Sequence, residues 1–146
     1  MSGRPGAPRQ DRLARIVRYF EESVAFASHV GGKVAGIEPG RAVLYVDVEE
    51  KHLNRGGTLR GGVHARLIDS AMSLSLIALT NSKIATTQMN VHFLGPVREG
   101  RMSCRGEVLR RTRRTATAEG RVYDGAGNLV AMGAGSFRIF AGKARL

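Results

Sequence analysis

The residue types that could support chemistry in this chain are concentrated in one stretch, from Asn54 to Thr80. A polar, glycine-rich loop at residues 54–60 leads into the pair Gly61-Gly62, and a long apolar segment follows. Asp69 lies in the middle of that apolar segment. A carboxylate surrounded by apolar structure is costly unless it is paired or used in a reaction. Asp69 is therefore the first candidate for a functional residue.

The segment that carries Asp69 has the pattern of a buried helix. One face is marked by small and apolar residues at steps of three and four, namely Val63, Leu67, Ser70, Leu74 and Ile77. Other apolar residues fill the neighbouring stripes. Because a helix that is apolar on most of its circumference is normally covered on several sides, we expect other elements to wrap around this one.

The elements before the central helix are a basic arm, a shorter helix and a hairpin. We expect residues 1–10 to be disordered and Asp11 to cap an amphipathic helix that runs to about Ser28. A strand at residues 33–38 and a second at 42–48 flank the turn Pro39-Gly40.

Four strands are predicted after the central helix, at residues 84–93, 102–110, 115–123 and 129–140. Short turns join them, which indicates an antiparallel sheet and an α+β fold. The sheet most simply wraps around the long helix. We expect a single domain over residues 11–141 and a polar tail at 142–146.

Length and composition fit one globular domain of 146 residues. The lone Cys104 excludes an internal disulfide, and no signal-type segment follows the N-terminus, so we expect a soluble cytoplasmic protein. His29, His52 and His92 lack metal-ligand spacing, and neither a metal nor a separate cofactor is expected. The net charge of +11 fits a nucleic-acid partner, a polyanionic small molecule or a merely soluble surface.

The motif in the central stretch resembles the hotdog-fold acyl-CoA thioesterases. It reads Asn54-x-x-Gly57-Thr58-Leu59-x-Gly61-Gly62, followed seven residues later by Asp69. The branch it resembles is the phenylacetic-acid-degradation (PaaI-like) and hydroxybenzoyl-CoA thioesterase branch. Downstream, Asn90-Val91-x-Phe93-x-x-Pro96 and Gly133-x-Gly135-x-Phe137 extend the resemblance over residues 30–140. It implies a sheet wrapped around a central helix, and homodimers or homotetramers with active sites at the dimer interface.

The same resemblance implies roles for individual residues. Gly61 would offer its backbone N–H to the thioester carbonyl, and Asp69 would act as nucleophile or general base. Asn54 would position the substrate or the water, and Thr86 would assist the attacking water. Coenzyme A would enter as part of the substrate, an acyl-CoA.

The clear departure from the family pattern is Arg60, which stands where relatives usually have histidine before the glycine pair. Two interpretations of Arg60 are open: a fixed cation near the thioester or the CoA phosphates, or a side chain that points to solvent. His64 does not inherit the role of the family histidine. Gly62, Arg111 and Arg113 complete the predicted substrate-binding residues.

Helix geometry adds a constraint on such a site. Eight residues separate Gly61 from Asp69, which corresponds to about 12 Å along a helix axis. That distance is too great for both residues to serve one carbonyl within a subunit. Two antiparallel central helices from two subunits would bring Asp69 of one to Gly61 of the other.

Several other functions compete with acyl-CoA hydrolysis. A non-catalytic acyl-CoA-binding or regulatory hotdog protein is the main alternative, because of Arg60. A hotdog dehydratase or hydratase is weakened by the lack of an Asp/His pair at the site. Nucleic-acid binding is disfavoured because the arginines have no aromatic residues among them to stack on bases. Asp69 could also be a structural acid that pairs with Arg60 or Arg66.

Overall fold

A six-stranded antiparallel sheet curls around one long helix. The computed structural model describes residues 7–22 and 30–144. The helices are α1 (Ala7–Glu21) and α2 (Gly61–Thr80). The strands are β1 (Lys33–Glu38), β2 (Arg41–Asp47), β3 (Ser82–Phe93), β4 (Arg101–Arg111), β5 (Thr115–Tyr123) and β6 (Leu129–Lys143). They lie in the order β1-β2-β4-β5-β6-β3, so β1 and β3 form the two edges of the sheet.

The core lies between α2 and the concave face of the sheet. Alternate residues of β2, of β5 and of the first half of β4 are buried against the helix, as period-2 alternation requires. The sheet approaches α2 most closely at Gly106 in β4, where a Cβ atom would lie 2.3 Å from the carbonyl oxygen of Ala71. The predicted wrapping of the sheet around the central helix is confirmed.

By length and composition α2 could also cross a bilayer. In this fold its apolar residues are covered instead, with Leu67, Ile68, Ala71, Met72 and Leu76 each fully buried. The helix therefore serves as the core element around which the domain is built.

The N-terminal helix begins earlier than predicted. Asp11 is not its N-cap, because α1 already starts at Ala7. Tertiary contacts account for the difference: the Arg12 guanidinium donates to the carbonyl oxygen of Ala78 at 2.9 Å and docks α1 on the end of α2. Such docking outweighs a local capping preference. The disordered arm was expected over residues 1–10, but residues 7–10 belong to α1. Residues 1–6 of that arm, and the helix end expected near Ser28, lie outside the described residues.

The predicted strands are present in the predicted order, with small differences at their ends. The largest is in β6, which continues to Lys143, where it pairs with Ser82 at the start of β3. The residues expected to begin a polar tail thus extend the sheet. The C-cap of α2 is Asn81, whose φ of 52° places it in the left-handed region used by helix C-caps.

Candidate active site

The loop before α2 is shaped by Asn54. Its side-chain oxygen accepts hydrogen bonds from the N–H groups of Gly56 at 2.9 Å and Thr58 at 3.2 Å. Its amide nitrogen donates to the Thr58 hydroxyl at 2.9 Å. Asn54 therefore holds the conformation of the loop, and its role toward a substrate stays a prediction.

The loop delivers the chain to the N-terminus of α2 at Gly61. The N-cap position is Arg60, whose side chain does not cap the helix. The first N–H groups of an α-helix have no intrahelical acceptor, and the positive end of the helix dipole lies there. Gly61 and Gly62 are exposed, so this helix start can donate to a negatively charged oxygen.

A ring from β3 covers part of this helix start. Phe93 lies so close that a Cβ atom on Gly61 would be 3.1 Å from its Cζ atom. Gly61 thus has a packing reason to be glycine in addition to any need for close approach of a substrate. A Cβ on Gly62 would meet none of the described atoms within 4 Å.

Arg60 is fixed at the junction of loop and helix. Its Nε donates to the carbonyl oxygen of Leu53 at 3.1 Å, and its backbone N–H donates to the carbonyl oxygen of His52 at 2.9 Å. Within residues 7–22 and 30–144, no carboxylate lies in ion-pair range of Arg60. The side chain is exposed, and its terminal guanidinium nitrogens are available to an anionic ligand.

The central feature of the site is a hydrogen bond between Thr86 and Asp69. The Thr86 hydroxyl donates to Oδ1 of Asp69 at 2.8 Å, from the edge strand β3 to the middle of α2. Thr86 pairs with Phe137 of β6. Because directly paired residues point to the same face and Phe137 is buried against the helix, Thr86 faces α2.

The neighbouring threonine has a different environment. The Thr87 hydroxyl donates to the carbonyl oxygen of Ser136 at 3.0 Å. The pairing of β3 with β6 shifts register between Thr86 and Gln88, which indicates a bulge at this point. Bulges near active sites often redirect a side chain, and here Thr86 is the residue that reaches the carboxylate.

The structure brings some of the predicted site residues together and separates others. Asp69 and Thr86 form a bonded pair, whereas Gly61 lies two helical turns away, about 12 Å along the axis of α2. Arg111 and Arg113 lie at the β4–β5 turn, which adjoins the C-terminal end of α2 near Leu79. Within one subunit these arginines are roughly 30 Å along the helix from Gly61.

His64 lies near the start of α2, under Phe93, and its exclusion from the role of the family histidine stays a prediction. It is 3% exposed, and its ring packs edge-to-face on Phe93 at 5.9 Å. Its buried Nδ1 atom has no hydrogen-bond partner among the residues that the structure describes. Burial lowers the pKa of His64 below its ordinary value, so the ring is neutral at pH 7. The sequence does indicate that His64 lies near Gly61, because a residue three positions later is one turn further on the same side of a helix.

The remaining polar core residues have structural roles. His52 is fully buried, with Nδ1 accepting from the N–H of Glu49 and Nε2 bonded to the carbonyl oxygen of Val30. Burial raises the pKa of the Cys104 thiol to about 12, and the prediction of a small buried hydrophobe is confirmed. No cluster of three or more potential metal ligands occurs among the residues that the structure describes.

A sheet wrapped around a central helix, with a carboxylate–hydroxyl pair between them, defines the class of protein. Residues 56–131 match the family model of the thioesterase superfamily, just over half of the chain. The chain belongs to this superfamily, and its fold is the hotdog fold. The family resemblance seen in the motif at residues 54–69 is confirmed.

Similar proteins are found in distant organisms. A Saccharolobus solfataricus protein named "Putative esterase" is 29% identical over 135 residues, covering 92% of this chain and 96% of its own. Human acyl-coenzyme A thioesterase 13 is 29% identical over 91 residues, covering 60% of this chain and 64% of its own. The crystal structure of zebra fish thioesterase superfamily member 2 is 26% identical with a TM-score of 0.80, covering 89% and 97% of the two chains. These relatives support thioesterase activity at the level of the family.

Proposed function

We propose that this chain is an acyl-CoA thioesterase that acts as a homodimer. In this proposal Asp69 of one subunit, oriented by Thr86, is the catalytic carboxylate. It acts on a thioester whose carbonyl oxygen is bound at Gly61 of the partner subunit. The hydrogen bond of 2.8 Å between Thr86 and Asp69 carries the proposal. It fixes a half-buried carboxylate in one orientation beside the exposed edge of the sheet.

The chemistry follows from the atoms that the pair leaves free. Thr86 occupies Oδ1 of Asp69, so Oδ2 is available to accept a proton from water. The water oxygen adds to the thioester carbon, and the electrons of the C=O double bond move to the carbonyl oxygen. This oxygen accepts a hydrogen bond from the Gly61 N–H. Collapse of this intermediate breaks the C–S bond, and the proton on Asp69 passes to the departing CoA thiolate. Direct attack by Asp69, with later hydrolysis of the anhydride, is the other route open to the carboxylate.

The edge strand β3 supports pairing of two subunits. Edge strands are usually protected by charged residues, prolines or short length, but β3 is 12 residues long, contains no proline and has Lys83 as its single fully charged residue. Phe93 and Leu94 at its end are 58% and 54% exposed. Antiparallel pairing of two β3 strands would continue the sheet and set two α2 helices side by side in opposite directions.

The same two-fold relation gives the distant arginines a role. Reversing the partner's α2 brings the partner's Gly61 toward the end of the sheet where Arg111 and Arg113 lie. Both side chains are exposed, and neither forms an ion pair within the described residues. Guanidinium groups suit phosphate oxygens, so we assign Arg111, Arg113 and Arg60 to the CoA phosphates. A cytoplasmic location, where acyl-CoA would be met, is part of the proposal.

The first test measures thiol release from a panel of acyl-CoAs. Asp69→Asn keeps the shape of the side chain and an oxygen that can accept from Thr86, but it removes the base. We expect kcat to fall roughly 10²- to 10⁴-fold. Asp47→Asn is the matched control, since it removes an exposed carboxylate whose partner among the described side chains is Arg101. Near-wild-type turnover by Asp69→Asn would exclude Asp69 as the catalytic group.

The second test asks whether the site is shared between subunits. Gly61→Ala and Asp69→Asn are each expected to be poorly active as homodimers. A mixed dimer of the two variants contains one site with both an intact Gly61 and an intact Asp69. We expect about half of the wild-type activity per dimer if the two residues act across the interface. Activity no higher than that of the separate variants would show that each site lies within one subunit.

A second candidate function is acyl-CoA binding without hydrolysis. It is favoured by Arg60, which replaces the family histidine and is held in place by the carbonyl oxygen of Leu53. Tight binding of acyl-CoA by the wild-type protein without thiol release would select this function. Arg60→His would then be the variant expected to gain turnover.

A further inference from the structure

An apolar cavity lies between α1, α2 and β3, beyond the Asp69–Thr86 pair toward the C-terminal end of α2. Its volume is about 300 Å³. Its main walls are the side chains of Ile16, Tyr19 and Phe20 from α1, Leu74 and Ile77 from α2, and Ile84 from β3. Lys83 and Ser82 are its polar lining residues.

On the helix side, the cavity continues the face that carries Asp69. Asp69, Ser73 and Ile77 follow one another at steps of four residues, so they lie on one face of α2. All three are partly accessible, in contrast to the fully buried Met72 and Leu76. An open stripe therefore runs from the carboxylate to the cavity, over about 12 Å of helix.

On the strand side, the cavity continues the face that carries Thr86. Ile84 pairs with Ile139 and Thr86 with Phe137, and both partners are buried toward the helix. Ile84 and Thr86 thus point to the same side of β3, roughly 7 Å apart along the strand. The carboxylate–hydroxyl pair and the cavity thus lie along the same faces of α2 and β3, and we infer that a groove between these two elements joins them.

The third wall, α1, is held in place at both ends. Near its start Arg12 donates to the carbonyl oxygens of Ile77 at 3.5 Å and Ala78 at 2.9 Å. At its end the Glu21 carboxylate accepts the N–H of Val34 at 2.7 Å. The family match covers residues 56–131 and so does not include α1.

We propose that this cavity binds the distal end of a medium-length aliphatic acyl chain whose thioester carbonyl lies at Asp69. The inference rests on the proposed thioesterase function and specifies its substrate class. The walls are mainly apolar, so the bound group is apolar. An extended acyl chain suits the distance of about 12 Å between Asp69 and Ile77. An aryl ring attached close to the carbonyl would not reach α1.

The arrangement also assigns the two ends of the substrate to different subunits. The acyl chain lies in the subunit that supplies Asp69 and Thr86. The helix start that receives the carbonyl oxygen comes from the partner. Filling the cavity should therefore change the preference for acyl length without removing the catalytic groups.

The test compares Ile77→Phe with Leu79→Phe. Both replace a half-buried aliphatic residue of α2 with the same larger ring, but Leu79 lines a separate depression beside Pro39 and Gly40. The measurement is kcat/KM for acetyl-, butanoyl-, octanoyl- and phenylacetyl-CoA. Each methylene kept out of an apolar pocket costs about fourfold in affinity. For Ile77→Phe we expect a loss of roughly 15- to 60-fold with octanoyl-CoA, from two or three displaced methylenes, and little change with acetyl-CoA.

A second variant protects the test against misfolding of Ile77→Phe. Tyr19 is 57% exposed at the rim of the cavity, so Tyr19→Ala is expected to fold. It should weaken octanoyl-CoA turnover several-fold and leave acetyl-CoA turnover unchanged.

The outcomes separate failure of this inference from failure of the proposed function. If no acyl-CoA releases thiol, or if release does not depend on Asp69, the proposed function itself is wrong. If release depends on Asp69 but Ile77→Phe has the same chain-length profile as Leu79→Phe, the cavity does not hold the acyl chain. A wild-type preference for phenylacetyl-CoA over octanoyl-CoA would overturn the aliphatic assignment alone.

Discussion

Replacing Thr86 with valine removes the hydroxyl group that orients Asp69 and keeps the branched shape of the side chain. The hydrogen bond that is lost is short, at 2.8 Å, and its acceptor is a carboxylate. Hydrogen bonds to charged groups contribute about 1.5–3 kcal/mol. Because Thr86 is exposed in the single subunit, we take the lower half of that range. We therefore expect kcat to fall roughly 10- to 40-fold, with less effect on KM.

The control for this experiment is the adjacent residue on the same strand. Thr87→Val also removes one hydroxyl, but that hydroxyl bonds the carbonyl oxygen of Ser136 and does not face Asp69. Steady-state thiol release and urea unfolding would be measured for both variants. We expect similar stability and a loss of turnover for Thr86→Val alone. Equal turnover in the two variants would refute the reasoning that the Thr86–Asp69 bond prepares the carboxylate.

Two further predictions concern the fold around the site. Gly106→Ala places a Cβ atom 2.3 Å from the backbone oxygen of Ala71, and we expect about 3 kcal/mol of destabilisation in urea unfolding. Gly36→Ala is the control, because a Cβ atom there has nothing within 4 Å among the described residues; equal losses would contradict the close approach. Burial lowers the pKa of His64 in the folded protein, so the His64 ring binds a proton more readily in the unfolded chain. The free energy of unfolding should therefore decrease as the pH falls below about 6.5, by at most about 1.4 kcal/mol per pH unit. His64→Leu should flatten this dependence below about pH 6.5, and an unchanged slope would assign it to other groups.

Much of the architecture was predictable because it depends on local periodicity. The alternation of buried residues in β2 and β5 and the stripe on α2 each record which face of an element is covered. The two-residue turn at Pro39-Gly40 was equally local. The start of α1 was not predictable, since the contact of Arg12 with Ala78 joins residues 66 positions apart.

Asp69 is a site residue that could be proposed from the sequence alone. Its charge in an apolar helix marked it as costly to bury, so it stood out without any knowledge of its neighbours. Its partner Thr86 was proposed only through the family resemblance. Phe93, which covers Gly61, had no assigned role, because nothing in its local sequence records what its ring will touch.

The sequence by itself determined the elements, their order and the residue whose burial needs an explanation. These properties depend on side-chain type and on spacing along one helix or strand, and both can be read from the amino-acid sequence. The tertiary structure alone decided that Thr86 rather than Thr87 reaches Asp69, that His64 lies beneath Phe93, and that α1 closes a cavity beyond the carboxylate. Each of these depends on how the sheet curls and where β3 bulges, and so on the packing of segments that are distant in the chain.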